Sequence, residues 1–435
     1  MTNGTPRLGA RQAWYVVAVL TAANVCALVD RQILSLLVEP IERDLQIGDT
    51  AMSLLMGLSF SLFYSILGLP LGLLADRGSR RRLLSIGIAV WSTMTLLCGV
   101  ARSYGQLLLF RMGVGVGEAA LGPTAISMAG DAFPPERRAL ALSVYSLGTF
   151  FGAGLAYLIG ATVTGLTATQ PDVHVPVIGT MRSWQVVFFA VGAPGLLVAL
   201  LALTMREPPR QQTTSAAPLA AVIAHWRAYA STLVTIAGAF AAWSAVNYGI
   251  AAWLATFFVR IHGWSAAQAG AWQGTLTMSV GVAGALTGGL LAEWWTRHGR
   301  ADAPLLVGLA GGVGLLVTGV AYPLVPSATV AAWLLVPVNL FAAMPWGAAS
   351  AAVANALPSS MRALGAAIYL LALNLASGIV GPTSVALLAD YVFEGRTAVR
   401  PALATATGAG MVIALVLIAA ARKPYVRTVA ALRER

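Results

Sequence analysis

Residues 104–130, YGQLLLFRMGVGVGEAALGPTAISMAG, are the stretch from which the fold of this chain is inferred. The stretch is long enough to cross a bilayer and is apolar almost throughout, yet it contains Arg111 and Glu118. Seven residues are two turns of an α-helix, so both charged side chains are predicted to lie on one side of it. A charge in the hydrocarbon costs about 2.5–3.5 kcal/mol on insertion scales, so two on one helix indicate an inward-facing site, of the kind that transports a solute.

The composition is typical of a polytopic membrane protein. Of the 435 residues, 58% are hydrophobic and only 10% are charged, and the mean hydropathy is +0.78; average chains carry about 25% charged residues. The net charge of +11 does not predict a nucleic-acid surface, because the basic residues fall in short clusters between apolar segments. Two cysteines within apolar segments and four scattered histidines predict neither a disulfide framework nor a metal site.

Twelve apolar segments are long enough to span a membrane, six on each side of a polar stretch. They are residues 14–36, 51–75, 83–101, 104–130, 139–163, 184–205, 229–258, 266–292, 303–322, 329–353, 363–388 and 402–421. The sequence therefore predicts an all-α polytopic membrane protein with four parts. These are an N-terminal six-helix bundle (14–205), a cytoplasmic linker (206–228), a C-terminal six-helix bundle (229–421) and a basic cytoplasmic tail (422–435). The first span follows a short polar segment without a cleavage pattern, so it is expected to be retained.

The distribution of lysine and arginine predicts the orientation. Nineteen of the 27 basic residues fall on the side of the membrane that holds both termini, six fall on the opposite side, and Arg31 and Arg111 lie within spans. Because loops rich in lysine and arginine stay inside, both termini are predicted to be cytoplasmic, with the protein in a bacterial inner membrane or a plasma membrane.

Small residues and prolines predict how the helices pack. Gly113, Gly115 and Gly117 lie between the two charges of the fourth span and favour a close approach of neighbouring helices. Gly148 and Gly152 form a G-x-x-x-G pair that favours tight packing of the fifth span. Three prolines within spans are predicted to kink or break helices: Pro123, Pro345 and Pro382.

Two internal repeats predict that the halves of the chain share one architecture. Residues 72–76, GLLAD, reappear 217 positions later as GLLAE at 289–293. Residues 131–145, DAFPPERRALALSVY, are echoed 224 positions later by NALPSSMRALGAAIY at 355–369. Each pair occupies the same place in its half, which indicates parallel repeats related by an axis along the membrane normal.

The loop after the second span, GLLADRGSRRRLL at 72–84, resembles the loop motif of the major facilitator superfamily, G-x-L-A-D-R-x-G-R-R/K. It departs from the motif at Ser79, where glycine is usual. The resemblance implies twelve helices in two pseudo-symmetric six-helix bundles that work by alternating access.

Asp76 of this loop is expected to accept hydrogen bonds from backbone N–H groups or from an arginine of a facing helix end. The alternative is a positive-inside anchor with a capping aspartate. The second copy, with Trp294 and Trp295, is expected to be the looser latch. The implied cytoplasmic gate residues are Gly72, Asp76, Arg77, Arg80, Arg81, Glu293 and Arg297.

Within that superfamily, two segments resemble the spinster family of lysolipid and sphingolipid transporters. They are VDRQILS at 29–35 and RMGVGVGEAALGP at 111–123, and the likeness continues to Tyr145. It is densest over residues 14–205, whereas the C-terminal half resembles only the superfamily. The Asp-Arg pair of the first span is also similar to organic-anion symporters of the superfamily.

Helical rise predicts the depth of the charged residues. Asp30 and Arg111 lie roughly 9 and 10 Å below the outer surface, so they meet if the first and fourth helices face each other. Glu118 lies roughly 21 Å down with no arginine in its own helical turn. Because burial raises the pKa of a carboxyl and a neighbouring arginine lowers it, Glu118 and Asp30 are predicted to couple protons to transport. Arg31 and Arg111 are predicted to bind an anionic head group. The alternative is a static ion-pair cluster that locks helix packing.

The C-terminal spans carry polar and aromatic residues but no charge until Asp390. A cavity with charges on its N-terminal wall and an apolar-aromatic C-terminal wall suits an amphipathic substrate, although any one aromatic residue can instead belong to an interfacial belt or to helix packing. The predicted cavity residues are Tyr64, Tyr145, Asn247, Tyr248, Trp346, Tyr369 and Asn374.

The sequence thus predicts a secondary active transporter rather than an enzyme, with no catalytic residue, no metal and no cofactor. The proton gradient is its expected energy source. Its expected partners are the lipid bilayer, protons and a lysolipid or sphingolipid-like substrate, with no nucleic acid, and it is expected to be a monomer. Two alternatives stay open: an organic-anion/proton symporter in which Arg31 or Arg111 binds a small carboxylate, and a receptor built on a transporter fold.

Overall fold

The computed structural model describes residues 8–167, 172–175, 179–210 and 218–433, and almost all of them are helical. The first nine helices are α1 (Ala10–Gln32), α2 (Val38–Leu45), α3 (Asp49–Ser53), α4 (Ser59–Arg77), α5 (Arg80–Cys98), α6 (Tyr104–Glu118), α7 (Leu121–Ala132), α8 (Pro135–Thr167) and α9 (Ser183–Thr204). Between α8 and α9, strands β1 (Asp172–Val175) and β2 (Gly179–Arg182) pair antiparallel.

The remaining helices are α10 (Leu219–Ala228), α11 (Ala230–His262), α12 (Ala266–Leu276), α13 (Val282–Arg297), α14 (Ala303–Leu324), α15 (Ala328–Ala343), α16 (Trp346–Asn355), α17 (Arg362–Leu375), α18 (Gly381–Leu388) and α19 (Val399–Arg433). Several neighbours are joined by π-helical turns, at Leu54–Leu58, Thr277–Gly281 and Ala376–Val380. Each such pair therefore runs on as one long membrane-spanning segment. A further π-helical turn, Ala389–Phe393, ends the segment that contains α18.

Ten helical segments of the described chain are long and apolar enough to cross a membrane. The other two predicted spans are also helical. One is α5, which is 19 residues long and begins with three arginines. The other is α6 followed by α7, which are separated at Ala119 and Ala120. Because Pro123 has no amide hydrogen to donate to the carbonyl of Ala119, it helps to end α6 directly after Glu118, and the predicted helix break is confirmed.

By its internal contacts the chain divides into two compact units. The first contains Met1–Gln212 and Trp264–Gly274, and the second contains Thr213–Gly263 and Thr275–Arg435. The start of α12 belongs to the first unit because it packs closely on α8. A methyl carbon added at Gly274 would lie 2.7 Å from the carbonyl oxygen of Gly154, so only glycine fits at this contact.

In the first unit, α8 packs on α1 through the predicted G-x-x-x-G pair. A methyl carbon added at Gly148 would lie 2.8 Å from Cγ2 of Thr21, and one added at Gly152 would lie 3.0 Å from Cα of Val25. The prediction of tight packing is confirmed. This packing fixes the position of α1 relative to α8. That position matters because α1 carries two of the charged residues described below.

In the second unit, α11 packs on α19 and on the α17–α18 segment, and its Phe257 ring contacts that of Tyr322 on α14. The indole N–H of Trp253 donates to the carbonyl oxygen of Pro382 at 2.9 Å, and Pro382 lies in the first turn of α18. Pro345 separates α15 from α16. The break predicted at Pro345 is therefore confirmed, whereas the helical segment runs on through Pro382 with a π-helical turn, Ala376–Val380, just before it.

Candidate functional site

The first charged pair of the membrane interior joins α1 to α6. Arg111 Nη1 lies 3.1 Å from Asp30 Oδ1 and 3.3 Å from the Asp30 carbonyl oxygen. The hydroxyl of Thr95, on α5, donates to Asp30 Oδ2. The side chains of Arg111 and Asp30 are 0% and 3% exposed, so the pair is sealed within the unit. The predicted Asp30–Arg111 contact is confirmed.

The second charged pair also joins α1 to α6. Arg31 donates from Nε and Nη2 to Glu118 Oε2, each at 2.7 Å. The guanidinium carbon lies 4.3 Å from the ring centre of Phe60 and 4.7 Å from that of Tyr64, and these rings stack on each other at 5.3 Å. Both distances suit cation–π attraction. Arg31 is thus held by one carboxylate and two aromatic rings of α4.

The two pairs differ in their access to the surface. The Glu118 side chain is fully buried, whereas the Arg31 side chain is 17% exposed. Within the described chain, Glu118 Oε1 and the Nε and Nη2 atoms of Arg111 are buried without a hydrogen-bond partner. Among the described residues, Glu118 is thus hydrogen-bonded through one carboxylate oxygen only, and the arginine that binds it, Arg31, is partly exposed.

Glycines of α6 bring the helices close enough for these contacts. A methyl carbon added at Gly115 would lie 2.6 Å from the carbonyl oxygen of Phe60 on α4. One added at Gly117 would lie 2.6 Å from the backbone nitrogen of Trp91 on α5, and one added at Gly113 would lie 2.6 Å from Met94. The predicted close approach is confirmed. The consequence is that α4, with Phe60, and α5, which carries Thr95, both lie against the charged face of α6.

Several residues of the site were not predicted from the sequence. Thr95 and Phe60 are ordinary residues of apolar helices, and only the folded arrangement shows that they bind Asp30 and Arg31. The partner of Glu118 was also missed, because its arginine comes from α1 rather than from α6. The residue types offered one signal: α1 carries an acid followed by a base, and α6 carries a base followed by an acid.

Predicted cavity residues of the first unit lie beside Arg31. Tyr64 is half-buried and stacks on Phe60. Tyr145, on α8, is half-buried and lies close enough to Tyr64 and Arg31 to interact with them electrostatically. The structure therefore brings both tyrosines to the charged pair.

Predicted cavity residues of the second unit are more dispersed. Asn247 is half-buried and donates weakly to the carbonyl oxygen of Ala342 at 3.5 Å. Tyr248 and Asn374 are half-buried as well. Tyr369 is buried, and Trp346 is largely exposed. Their role in substrate binding stays a prediction.

The predicted gate motif of the first unit is organised around Arg80, which is 2% exposed. Its Nη1 donates to Asp131 Oδ2 at 2.5 Å and to Ser127 Oγ at 2.9 Å, both at the end of α7. Its Nη2 donates to the carbonyl oxygen of Pro208 at 2.6 Å, and its Nε lies 3.4 Å from Glu207 Oε1. We call Ser79, Arg80, Asp131 and Glu207 the Arg80 cluster.

Glu207 joins the segment after α9 to the start of α5. It accepts hydrogen bonds from Ser79 Oγ at 2.7 Å and from the backbone nitrogen of Arg80 at 3.1 Å, and a carboxylate is favoured at a helix N-terminus. Burial alone would raise the pKa of Glu207, but hydrogen bonds from Ser79, Arg80 and Arg81 together hold that pKa below its usual range. Arg210 Nη2 donates to the carbonyl oxygens of Ala75 and Gly78 at 2.7 Å, which caps the C-terminus of α4.

Other residues of the gate motif contribute less to this cluster. Arg81 donates to the carbonyl oxygen of Met205 at 3.2 Å. Arg77 is exposed, and a methyl carbon added at Gly72 would lie 3.7 Å from Cβ of Pro123, an ordinary contact. The side chain of Asp76, expected to be the latch, lies outside the described part of the structure. The cluster as described depends on Asp131 and Glu207, which were not predicted.

The second unit has its own charged contacts at the corresponding helix ends. Glu293 and Arg297 pair at 2.5 Å within one helix and are both mostly exposed. Asp302, just before α14, binds Arg300 at 3.1 Å and Arg422 of α19 at 2.7 Å. Ion pairs on an exposed helix surface contribute little. Asp302 is therefore the stronger tie in this unit.

Comparison with known proteins identifies relatives along most of the chain. A profile of the Major Facilitator Superfamily matches residues 20–382. An MFS-type efflux pump of Mycolicibacterium smegmatis is 29% identical over 403 residues, or 90% of this chain and 88% of the pump. A hexuronate transporter of Bacillus subtilis is 30% identical over 203 residues, or 47% of this chain and 44% of the transporter. A crystal structure of a bacterial homolog of the human lysosomal transporter spinster, inward-facing and occupied, superposes with a TM-score of 0.79 at 27% identity, over 98% of this chain and 99% of that one.

Proposed function

Because the chain belongs to the Major Facilitator Superfamily, we propose that this membrane transporter is a proton-coupled secondary carrier of an anionic amphipathic molecule, such as a lysophospholipid. It works by alternating access, takes its energy from the proton gradient, needs no cofactor and acts as a monomer. The observation that carries the proposal is the Arg31–Glu118 pair, in which a buried carboxylate depends on a partly exposed arginine.

The pair supports coupling through the cost of a buried charge. Removing one partner of a buried ion pair leaves the other uncompensated, at about 3–5 kcal/mol. A substrate anion that draws Arg31 away from Glu118 would leave such a carboxylate, with one oxygen already without a partner. Protonation of Glu118 removes that charge. Binding of the substrate anion to Arg31 is in this way linked to binding of a proton to Glu118.

The second pair has a different role in this proposal. Asp30 accepts from Arg111 and Thr95, and the three side chains are buried. An anion cannot reach Arg111 without opening the contact between α1 and α6. Asp30 is therefore the less exchangeable carboxylate, and it holds α1 in the register that presents Arg31 to a substrate.

Arg31 suits a phosphate or carboxylate head group, because a planar guanidinium donates two parallel hydrogen bonds to such groups. The rings of Phe60 and Tyr64 keep the guanidinium in place when its carboxylate partner changes. The amphipathic substrate class is supported by the resemblance of residues 29–35 and 111–123 to the spinster family and by the superposition on a spinster homolog. The Arg80 cluster is proposed to close the cytoplasmic side.

Gradient-driven uptake into proteoliposomes tests the proposal. The full chain is reconstituted, and accumulation of a radiolabelled lysophospholipid is measured with and without an imposed pH difference. Glu118→Gln is expected to remain folded and to exchange substrate, but to lose the acceleration by the pH difference. Glu394→Gln, a change of an exposed carboxylate in the second unit, is the control. Normal gradient-driven accumulation by Glu118→Gln would overturn the proton role of this residue.

A second candidate is a symporter of small organic anions, which the local similarity to a hexuronate transporter favours. In that case Arg31 binds a sugar carboxylate. Thermal stabilisation by lysophospholipids, sphingoid bases and glucuronate, compared side by side, separates the two. If glucuronate raises the unfolding temperature and lysolipids do not, the organic-anion symporter replaces the lipid transporter as the proposed function. If none of the compounds is transported into proteoliposomes, a receptor function is favoured.

A further inference from the structure

The short helix α10 forms a groove on the surface of the second unit. Its inner face is anchored: Val222 is buried, and His225 Nε2 lies 3.2 Å from the carbonyl oxygen of Ala356. The ring of His225 also packs on Tyr229 at 4.6 Å. Because α10 is held by these contacts, the surface between α10, α11 and α17 is a fixed feature of the unit.

The groove itself is almost entirely apolar. It has a volume of about 270 Å³ and is lined by Ile223, Trp226, Arg227, Ala230, Val234 and Ile368. Val234 is 55% exposed, and Ile223 and Leu219 of α10 are exposed too. The apolar face of a surface helix can lie at the boundary between lipid head groups and acyl chains, so an acyl chain is the occupant that we infer for this groove.

One cation lies at the edge of the groove. Arg227 follows Ile223 by four residues, so the two share a face of α10. Its side chain is exposed, and within the described chain no hydrogen bond or ion pair engages it. Arg227 therefore places one positive charge at the rim of the groove, as suits an anionic head group.

The indole of Trp226, which lines the groove, points to the same class of ligand. The indole N–H of Trp226 is buried and has no acceptor in the described chain. An unpaired buried donor is costly, so an acceptor supplied by a bound ligand would be favourable. An ester or phosphate oxygen of a lipid would accept its hydrogen bond.

We propose that this groove is a binding site for a phospholipid with an anionic head group. One acyl chain lies against Ile223, Val234 and Ile368, and the phosphate binds Arg227. The site belongs to the second unit and shares no residue with the Arg31–Glu118 pair. It is therefore a resident-lipid site that stabilises α10 at the membrane surface, separate from the proposed substrate site.

Native mass spectrometry of the purified full chain tests this proposal. The protein is titrated with phosphatidylglycerol or phosphatidylcholine of identical acyl chains, and bound lipid is counted. Phosphatidylglycerol is expected to be retained roughly fivefold better, the preference that one arginine near a membrane surface provides. Arg227→Gln is expected to remove the preference and Arg227→Lys to keep it. Arg11→Gln, a change of an exposed arginine in the first turn of α1, is the matched control.

A groove-filling variant tests the acyl-chain contact independently. Val234→Trp is expected to lower retention of both lipids, because the indole occupies the space of the chain. Equal retention of the two lipids by the unchanged protein would overturn the proposal. An equal loss of the preference for phosphatidylglycerol in Arg227→Gln and Arg11→Gln would also overturn it. So would undiminished retention of both lipids by Val234→Trp. Lysophospholipid transport by Arg227→Gln is a separate readout, so a failure of this proposal leaves the proposed function untouched.

Discussion

Arg31 and Glu118 form a 2.7 Å ion pair in which the acid is fully buried and the base keeps 17% of its side chain exposed. The neighbouring pair, Asp30 with Arg111, is buried on both sides. Consecutive residues of α1 thus bind residues two turns apart on α6, and the four charges sum to zero. Loss of any one side chain leaves its partner uncompensated, but only Arg31 can change partner without opening the helix contact.

The first prediction concerns the shape of the Arg31 side chain. Arg31→Lys keeps the positive charge and can still pair with Glu118, but it loses the planar group that lies over Phe60 and Tyr64. We expect substrate binding to weaken by roughly tenfold, because both the ring contacts and the bidentate recognition of an anion are lost. The measurement is the substrate concentration that half-saturates transport.

Arg11→Lys is the control for this experiment, because Arg11 is exposed and lies on the same helix. Equal affinity in Arg31→Lys and the unchanged protein would show that charge alone matters at this position. The stacking on α4 would then serve only to pack the helices.

The second prediction concerns the sealed pair. Asp30→Asn leaves Arg111 buried without a carboxylate, and we expect a loss of about 3–5 kcal/mol of stability. Asp30→Asn combined with Arg111→Gln is expected to recover part of that loss, because no buried charge is left unpaired. Thermal unfolding in detergent measures both. A single variant as stable as the unchanged protein would show that water already solvates Arg111.

Thr95 supports the sealed pair from α5, and this gives a third prediction. Thr95→Val keeps the shape of the side chain but removes the hydroxyl that donates to Asp30. We expect a loss of about 1–3 kcal/mol, the cost of an unsatisfied buried acceptor. Ser85→Ala is the comparison, because Ser85 is another buried hydroxyl of α5 but donates to a backbone carbonyl oxygen, that of Ala199. Thr95, in contrast, donates to a carboxylate. Similar losses in the two variants would argue against a special role for Thr95.

The contacts that could be predicted are those fixed by spacing along one helix. The depths of Asp30 and Arg111 follow from counting residues, and the glycines of α6 mark a close contact without saying what it touches. Glu118 was expected to have no arginine in its own helical turn, and no partner from another helix was predicted for it. Its pairing with Arg31 depends on the rotation of α1, which is set by the packing of Gly148 and Gly152 of α8 on that helix.

The fourth prediction concerns the Arg80 cluster at low pH. The pKa of Glu207 is held below its ordinary value of 4.5 in the folded protein. Its contribution to stability is therefore fully present above the unfolded value and is lost as the pH falls through the lower, folded value. We expect the amides of residues 205–207 and Arg210 to lose protection in acid, measured as the exchange rate relative to the intrinsic rate of an unstructured amide at the same pH. Glu207→Gln is expected to show low protection at both pH values, and high protection in that variant would contradict the proposed tie.

The last prediction concerns the glycine that brings α6 against α4. In Gly115→Ala, the added methyl carbon would meet the carbonyl oxygen of Phe60 at 2.6 Å, so α4 must move away. Overpacking of this kind costs about 1–3 kcal/mol, and it also shifts Phe60 and Tyr64 away from Arg31. We expect lower thermal stability together with weaker substrate binding. Gly105→Ala is the matched control, because it changes a glycine of the same helix with no neighbouring atom within 4 Å. A loss of stability without a loss of substrate binding would show that the position of α4 does not control Arg31.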